Sequence, residues 1–243
     1  MIRARSRAVA AVLIVLAAVG LAFAVLGRQP GALPPRPPAE RPALLLLTSL
    51  PLVFADEFGL SGGGSAALSA LEQRYRVVPV STAAAEDLAK GRLLLMAHPP
   101  AQTAENLVAL DAWVRGGGRV LLLADPMSEW PSERPLGDPL RPSPMYMDTG
   151  LLRHWGLRLD APDERGPVSR KLAGLEIVTD SPGSLSGHRC EIAGDGLVAQ
   201  CRVGRGRATV VADSDFLDAP RLGSGAGRNL DALLAALADL ESG

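Results

Sequence analysis

Four short runs that are apolar at nearly every position restrict most strongly what this chain can fold into. The runs are Leu44–Thr48 (LLLLT), Leu93–Ala97 (LLLMA), Val120–Ala124 (VLLLA) and Ala208–Ala212 (ATVVA). A strand that is apolar throughout, rather than at every second position, has both of its faces covered. Such runs alternating with helical segments predict an α/β fold in which helices flank a mostly parallel sheet.

Helical spacing of apolar residues appears between these runs. Ala66–Tyr75 has this spacing, and Thr103 is placed to cap a second helix that ends at Arg115, before three consecutive glycines. Asn229–Leu240 is an amphipathic closing helix with its leucines on one face. Shorter elements are expected at Val77–Val80, Ser81–Lys90, Thr149–Trp155, Leu157–Leu159 and Leu175–Val178.

The N-terminal segment, residues 1–27, predicts a transmembrane anchor. Ala8–Leu26 is a run of 19 uncharged residues, and arginines stand before it at positions 3, 5 and 7. At about 1.5 Å per residue the run reaches roughly 28 Å, close to the thickness of the hydrocarbon layer. Arginines before a span stay on the cytoplasmic side. We therefore expect a single-pass protein of the bacterial inner membrane with its domain in the periplasm.

A cleaved signal peptide is the alternative reading of this segment, because Ala22–Ala24 is an A-x-A pattern. Either reading exports the rest of the chain. Residues 28–42 contain six prolines and predict a semi-rigid spacer that holds the domain off the membrane. Residues 43–243 then form the exported domain, with a small β-rich insertion at about 157–203.

Cys190 and Cys201 are the two cysteines of the chain, and they flank a turn at Gly194–Gly196. Two short strands joined by that turn would place the thiols on neighbouring strands, and an oxidising periplasm permits a bridge between them. A disulfide is the favoured interpretation, and two free buried thiols are the alternative.

Candidate site residues are those that follow the apolar strands, because open α/β sheets place ligands beyond the carboxyl ends of their strands. These residues, read as ligand-binding or docking groups, are Ser49, His98, Asp125, Asp213 and Asp215. The three aspartates could approach one another and bind Ca²⁺ or carry out acid/base chemistry. The alternative is structural: a buried histidine with its hydrogen bonds satisfied, and aspartates that cap turns.

Asp125–Asp148 contains six prolines and predicts a long loop suited to docking. The sequence lacks the common catalytic signatures. It shows no G-x-S-x-G elbow, no Walker A motif and no metal-ligand spacing at its three histidines. We therefore expect no enzymatic activity, no cofactor and no metal. A net charge of −1 without a basic stripe also argues against nucleic acid as a partner.

Three segments carry a resemblance to a known family. The first consists of Leu93–Pro99 followed by Asn106–Pro126, the second is Gly204–Leu217, and the third is the closing helix at Asn229–Leu240. They resemble the gliding-motility-type ABC transporter auxiliary family. This resemblance implies a flavodoxin-like sheet of the class I glutamine amidotransferase type without its catalytic residues. His98 stands where such an enzyme would carry its cysteine.

The resemblance implies an accessory role beside an ABC permease and its ATPase. The expected function is therefore a non-enzymatic, membrane-anchored periplasmic accessory domain of an ABC transport or envelope complex. The alternative is a periplasmic ligand-binding or hydrolytic domain that acts on a carbohydrate or peptidoglycan fragment through Asp125, Asp213 and Asp215.

Overall fold

The computed structural model describes residues 32–53, 64–135, 137–138 and 140–242. The predicted anchor at 1–27 and the beginning of the predicted spacer lie outside these residues. Among the described residues, no helix has both the length and the apolar character needed to cross a membrane.

The described residues contain eleven strands and six α-helices. The strands are β1 (Ala43–Thr48), β2 (Arg76–Pro79), β3 (Leu93–Ala97), β4 (Arg119–Leu123), β5 (Leu157–Asp160), β6 (Pro167–Leu172), β7 (Leu175–Asp180), β8 (Ser184–Gly187), β9 (Cys190–Ala193), β10 (Val198–Val203) and β11 (Gly206–Val211). The helices are α1 (Ala66–Glu72), α2 (Ala85–Leu88), α3 (Ala104–Arg115), α4 (Leu151–Trp155), α5 (Ala219–Leu222) and α6 (Asn229–Ser242). Short 3-10 turns occur at Pro38–Glu40, Asp215–Leu217 and Ser224–Ala226.

The central sheet has the order β2-β1-β3-β4-β11-β10-β9 among the described strands. The first five are parallel, which is the 2-1-3-4-5 order of a flavodoxin-like sheet and confirms the predicted mostly parallel α/β architecture. The last two run antiparallel to their neighbours and extend the sheet at one side.

Both faces of the sheet are buried, as the apolar strands predict. Leu44 and Leu46 of β1 pack on one side in a cluster that includes Leu71 of α1 and Leu237 of α6. The alternate residues of the same strand, Leu45 and Leu47, pack on the other side with residues of α3 and α4. Each such leucine contributes about 1.5–3 kcal/mol through burial. Continuous apolar runs are therefore required here rather than alternating ones.

The region predicted as a β-rich insertion divides between the central sheet and two small antiparallel pairs. β5 pairs with β8, and β6 pairs with β7. The hairpin of β9 and β10 instead joins the central sheet through β11. β6 and β8 were not predicted, because both are largely polar: β6 reads PVSRKL and the four-residue β8 reads SLSG.

The second half of the predicted spacer packs on the domain instead of extending from it. We call Leu33–Arg41 the N-terminal strap. Leu33 packs against the core, and the backbone N–H of Arg36 donates to the Gln73 carbonyl at 2.9 Å. The Arg36 guanidinium forms two hydrogen bonds with Glu241 near the end of α6 and lies 5.4 Å from the Tyr75 ring. A proline-rich composition predicts an extended chain, but it does not reveal these contacts.

Candidate functional site

The carboxyl edge of the sheet, where the parallel strands end, holds all five candidate residues of the sequence. Ser49 follows β1, His98 follows β3 and Asp125 comes two residues after β4. Asp213 and Asp215 follow β11 in the same way. Since β1, β3, β4 and β11 are parallel neighbours, the structure brings these residues to one place.

Asp125 joins the ends of β4 and β11. One carboxylate oxygen accepts a hydrogen bond from the Met127 N–H at 2.9 Å. The other accepts from the backbone N–H and the hydroxyl of Ser214, at 3.0 and 2.9 Å. Asp125 has no exposed surface, and this burial raises the pKa of its carboxyl while the hydrogen bonds oppose the rise. Asp125 therefore acts as an internal acceptor.

Asp213 is also fully buried, and only one of its oxygens is satisfied. Oδ1 accepts from the hydroxyl of Thr179 on β7 and from the Phe216 N–H, the latter at 3.2 Å. Oδ2 has no hydrogen-bond partner. Burial, with the charge of Asp125 as the next cause, raises the pKa of Asp213 well above its ordinary value. Burial therefore favours the neutral form of this carboxyl.

Asp215 fastens the beginning of the Asp125–Asp148 loop. Its carboxylate accepts from the Glu129 N–H at 2.7 Å and from the Ser128 hydroxyl at 3.3 Å. Arg221 lies 3.9 Å from the same group. Burial and the nearby charge of Asp125 raise the pKa of Asp215 to about 7, although these partners oppose the rise.

His98 fastens the far end of the same loop. Its Nε2 lies 2.8 Å from the Ser143 carbonyl, which can only accept, so Nε2 carries the proton. Nδ1 is buried without a partner. Burial lowers the pKa of His98, against the opposing charge of Asp125, and the ring is neutral. Its φ of +44° lies in the left-handed region, where non-glycine residues are uncommon.

Ser49 holds the backbone of this turn rather than facing an open cavity. Its hydroxyl donates to the His98 carbonyl at 2.5 Å, and its N–H donates to the same oxygen at 3.3 Å. The neighbouring Thr48 hydroxyl donates to the Ala97 carbonyl at 2.8 Å. Side chains at the end of β1 and directly after it therefore hold the end of β3 in place.

Asn229 was missed as a site residue because the sequence marks it only as the beginning of a helix. It is fully buried, and its amide N–H groups donate to the carbonyls of Val178 and Phe216 at 2.7 and 2.8 Å. Its side-chain oxygen accepts from the Val178 N–H at 3.0 Å. This one side chain joins β7, the turn after β11 and α6.

The buried polar groups at this edge connect parts of the domain to one another through hydrogen bonds. Asp125, Asp213, Asp215 and His98 each have no exposed surface. Within the described part of the chain, no group of three or more His, Cys, Asp or Glu side chains is arranged to hold a metal ion. In this conformation no substrate can reach the carboxyls. Asp215 holds the beginning of the Asp125–Asp148 loop on the sheet, and His98 holds its far end.

The outer side of that loop is open and partly apolar. Leu140, Met145 and Met147 are 67%, 50% and 49% exposed. A groove of about 590 Å³ runs between this part of the loop and β5, with Arg153 and Arg158 at its border. Exposed long apolar side chains next to charged ones are typical of protein-binding surfaces.

Cys190 and Cys201 lie away from this site, at the side of the sheet formed by β9 and β10. They occupy directly paired positions of the two strands and are joined by a disulfide. The disulfide thus links the two strands of the hairpin, which the Gly194–Gly196 turn connects.

Together the fold and the site define a flavodoxin-like α/β domain whose carboxyl edge is closed by its own loop. A family model described as "ABC-type uncharacterized transport system", an auxiliary family, matches residues 41–162, and the chain belongs to this family. The matched segment contains β1 to β5 and the whole Asp125–Asp148 loop. No curated protein matches the chain.

Solved structures match the fold at low sequence identity. Cytoplasmic protein STM1381 from Salmonella typhimurium LT2 is 13% identical with a TM-score of 0.52, and the match covers 82% of this chain and 99% of that one. STM3548 from Salmonella typhimurium is 10% identical with a TM-score of 0.50, covering 82% and 98%. An exo-β-1,4-mannosidase from an Opitutaceae bacterium is 16% identical with a TM-score of 0.49, covering 81% of this chain. The chain spans 36% of that mannosidase.

Proposed function

We propose that this chain is a non-enzymatic accessory subunit of an ABC-type transport complex, of the gliding-motility type and with an amidotransferase-like fold. In this proposal residues 1–27 anchor it in the inner membrane, and the domain lies in the periplasm, where it associates with the complex that the permease forms with its ATPase. The observation that carries it is the family match over residues 41–162, which spans the parallel sheet and the loop fastened to it.

The turn after β3 supports the absence of catalysis. An amidotransferase-like enzyme is expected to offer a cysteine there, and this chain has His98, whose ring is buried and bonded to the loop. The disulfide of Cys190 and Cys201 supports a periplasmic location, because such bridges persist in oxidising compartments.

The docking element in this proposal is the outer side of the Asp125–Asp148 loop. Buried hydrogen bonds of Asp215 and His98 hold the loop at both ends, so its exposed residues are presented in a fixed arrangement. A preorganised surface binds with less loss of conformational entropy than a mobile one. Met145 and Met147 supply the apolar contacts.

Crosslinking in native membranes, followed by purification of the tagged full-length chain, tests the proposal. We expect an ABC permease and its ATPase to be recovered by mass spectrometry. The Met145→Asp, Met147→Asp double variant should lose both, whereas Val108→Asp, on an apolar residue of α3 that is even more exposed, should retain them.

Recovery of the wild-type chain alone from membranes would overturn the accessory role. Equal loss in the loop variant and in Val108→Asp would contradict docking through the loop. Thermal melting of both variants checks that they remain folded.

A further inference from the structure

Two methionines of the Asp125–Asp148 loop lie on its outer surface. Met145 and Met147 are 50% and 49% exposed, and both line the groove between the loop and β5. The residue between them, Tyr146, packs against the core, and its N–H donates to the Asp125 carbonyl at 2.6 Å. The loop is therefore attached to the domain through Tyr146, and the two thioether side chains are open to solvent.

Hydrogen bonds hold the backbone on both sides of Met145. The Ser128 N–H donates to the Pro144 carbonyl at 3.0 Å, which joins the beginning of the loop to its far end. The Ser143 hydroxyl donates to the Met145 carbonyl at 2.7 Å. The exposure of this thioether is therefore a property of the folded loop and does not require the loop to open.

The other methionines of the described residues are better shielded. The chain has five methionines, of which Met1 lies outside the described residues. Met96 is 1% exposed in β3, and Met127 is only partly exposed. Oxidation of sulfur depends on the access of the oxidant to it. Met145 and Met147 should therefore react first among these methionines.

Thiols do not compete with these thioethers for an oxidant. The chain has two cysteines, and they are joined to each other in the disulfide between Cys190 and Cys201. The thiolate is the form of cysteine that peroxides attack, and a disulfide has none. In the oxidised protein the exposed thioethers are therefore the sulfur atoms most open to a two-electron oxidant.

We propose that Met145 and Met147 are a reversible oxidation site that controls docking through the Asp125–Asp148 loop. This inference rests on the proposed function, because it gives a regulation to the same surface. Hydrogen peroxide transfers one oxygen atom to each thioether sulfur, which loses two electrons, and its other oxygen atom leaves as water. Methionine sulfoxide reductases return the sulfoxide to the thioether with electrons from a thiol.

Oxidation changes the character of the docking surface. Leu157 and Leu159 of β5 line the same groove, and the two thioethers extend its apolar surface. A sulfoxide is polar and accepts strong hydrogen bonds from water, which a partner must remove when it binds. Burial of such a group without a donor is unfavourable. We therefore expect oxidation of both sulfurs to weaken docking at least about tenfold.

Peroxide treatment of native membranes tests the inference. Membranes with the tagged full-length chain are treated with hydrogen peroxide, quenched with catalase, crosslinked and purified. Peptide mass spectrometry should show Met145 and Met147 gaining oxygen at least about tenfold faster than Met96. Recovery of the permease and its ATPase should fall at least about fivefold once both sulfoxides have formed.

Two variants separate oxidation of the loop from oxidation of the partner. Met145→Leu with Met147→Leu has no thioether to oxidise at these positions. The ratio of permease recovered after peroxide to permease recovered before it should therefore stay near one in this variant. Met145→Gln with Met147→Gln places uncharged polar groups there and should lose the permease without any peroxide.

Three results would overturn the oxidation site and leave docking through the loop standing. These are oxidation of Met145 and Met147 no faster than that of Met96, an equal proportional loss in the wild type and the leucine variant, and full recovery by the glutamine variant or by the doubly oxidised wild type. Recovery of the untreated wild type without permease and ATPase would instead overturn the accessory role on which this inference rests.

Discussion

Arg36 binds Glu241 through two hydrogen bonds of 3.0 and 2.9 Å, so a residue of the N-terminal strap is fastened to the last turns of α6. The Tyr75 hydroxyl donates to the same carboxylate at 3.0 Å. Glu241 raises the pKa of the Arg36 guanidinium through this hydrogen bond, against the opposing effect of burial. A segment with the composition of a linker is thus part of the folded domain.

Replacing Arg36 by alanine should release the strap. The side chains of Arg36 and Glu241 are 25% and 23% exposed, so solvent screens the attraction between their charges. The free energy of unfolding should therefore fall by about 1–2 kcal/mol. Cleavage after Glu40 by a glutamate-specific protease should become faster at the same time. Arg153→Ala, at an exposed position that forms no ion pair with any described residue, is the control. Unchanged cleavage in Arg36→Ala would contradict the strap.

Asp215 should make the protein less stable as pH rises from about 4 to about 7. Its pKa is raised from 3.8 to about 7 in the folded protein, so the folded state binds more protons than the unfolded state in this range. Asp215→Asn should remove this part of the pH dependence in urea denaturation. His98, whose pKa is lowered, acts in the opposite direction, and the comparison is therefore between variant and wild type. Parallel curves for the two proteins would refute the prediction.

Ser214→Ala removes the hydroxyl that donates to Asp125 at 2.9 Å and leaves the backbone N–H as the remaining donor to that oxygen. A buried carboxyl that loses one donor should cost about 1–2 kcal/mol in the free energy of unfolding. Ser186→Ala, on an exposed position of β8, should change it by less than about 0.5 kcal/mol. Chemical denaturation measures both.

Asn229→Ala should be the more damaging change, because it leaves the N–H and carbonyl of Val178 and the carbonyl of Phe216 without their partner. We expect a loss of about 2–4 kcal/mol. Asn229→Asp has the same shape and keeps the acceptor for the Val178 N–H, but places an oxygen against two carbonyls. It should therefore be no more stable than the alanine variant, and near wild-type melting of either would contradict the network.

Reduction of the disulfide should lower stability by about 2–3 kcal/mol, as expected when a bridge closes a short loop in the unfolded chain. Cys190→Ser with Cys201→Ser should reproduce this loss. The disulfide also indicates the compartment of the protein. When intact cells are first treated with one alkylating reagent, Cys190 and Cys201 should react with a second reagent only after the disulfide has been reduced. Direct alkylation of both cysteines without reduction would contradict export.

The central strands could be predicted because their burial on both faces leaves a continuous apolar signal in β1, β3, β4 and β11. The meeting of His98, Asp125 and Asp213 could be predicted too, because residues after parallel strands share an edge. The partners of these side chains could not. Ser143 lies in an irregular loop and Thr179 in a separate pair of strands, and no local pattern reveals which distant carbonyl or hydroxyl a buried group meets.

The antiparallel end of the sheet shows the same limit. The Gly194–Gly196 turn predicts a hairpin, but whether that hairpin stands alone or joins β11 depends on packing across the whole domain. Short polar strands such as β8 have no hydrophobic alternation from which to be recognised.

The position of β9 at the end of the sheet has a consequence for self-association. It is only four residues long, and its disulfide holds it against β10. Detaching it would leave the six-residue β10, with buried Val198, Ala199 and Val203, as an open edge whose free backbone groups could pair with another copy. The disulfide therefore opposes aggregation. The reduced protein should form edge-to-edge aggregates more readily than the oxidised one.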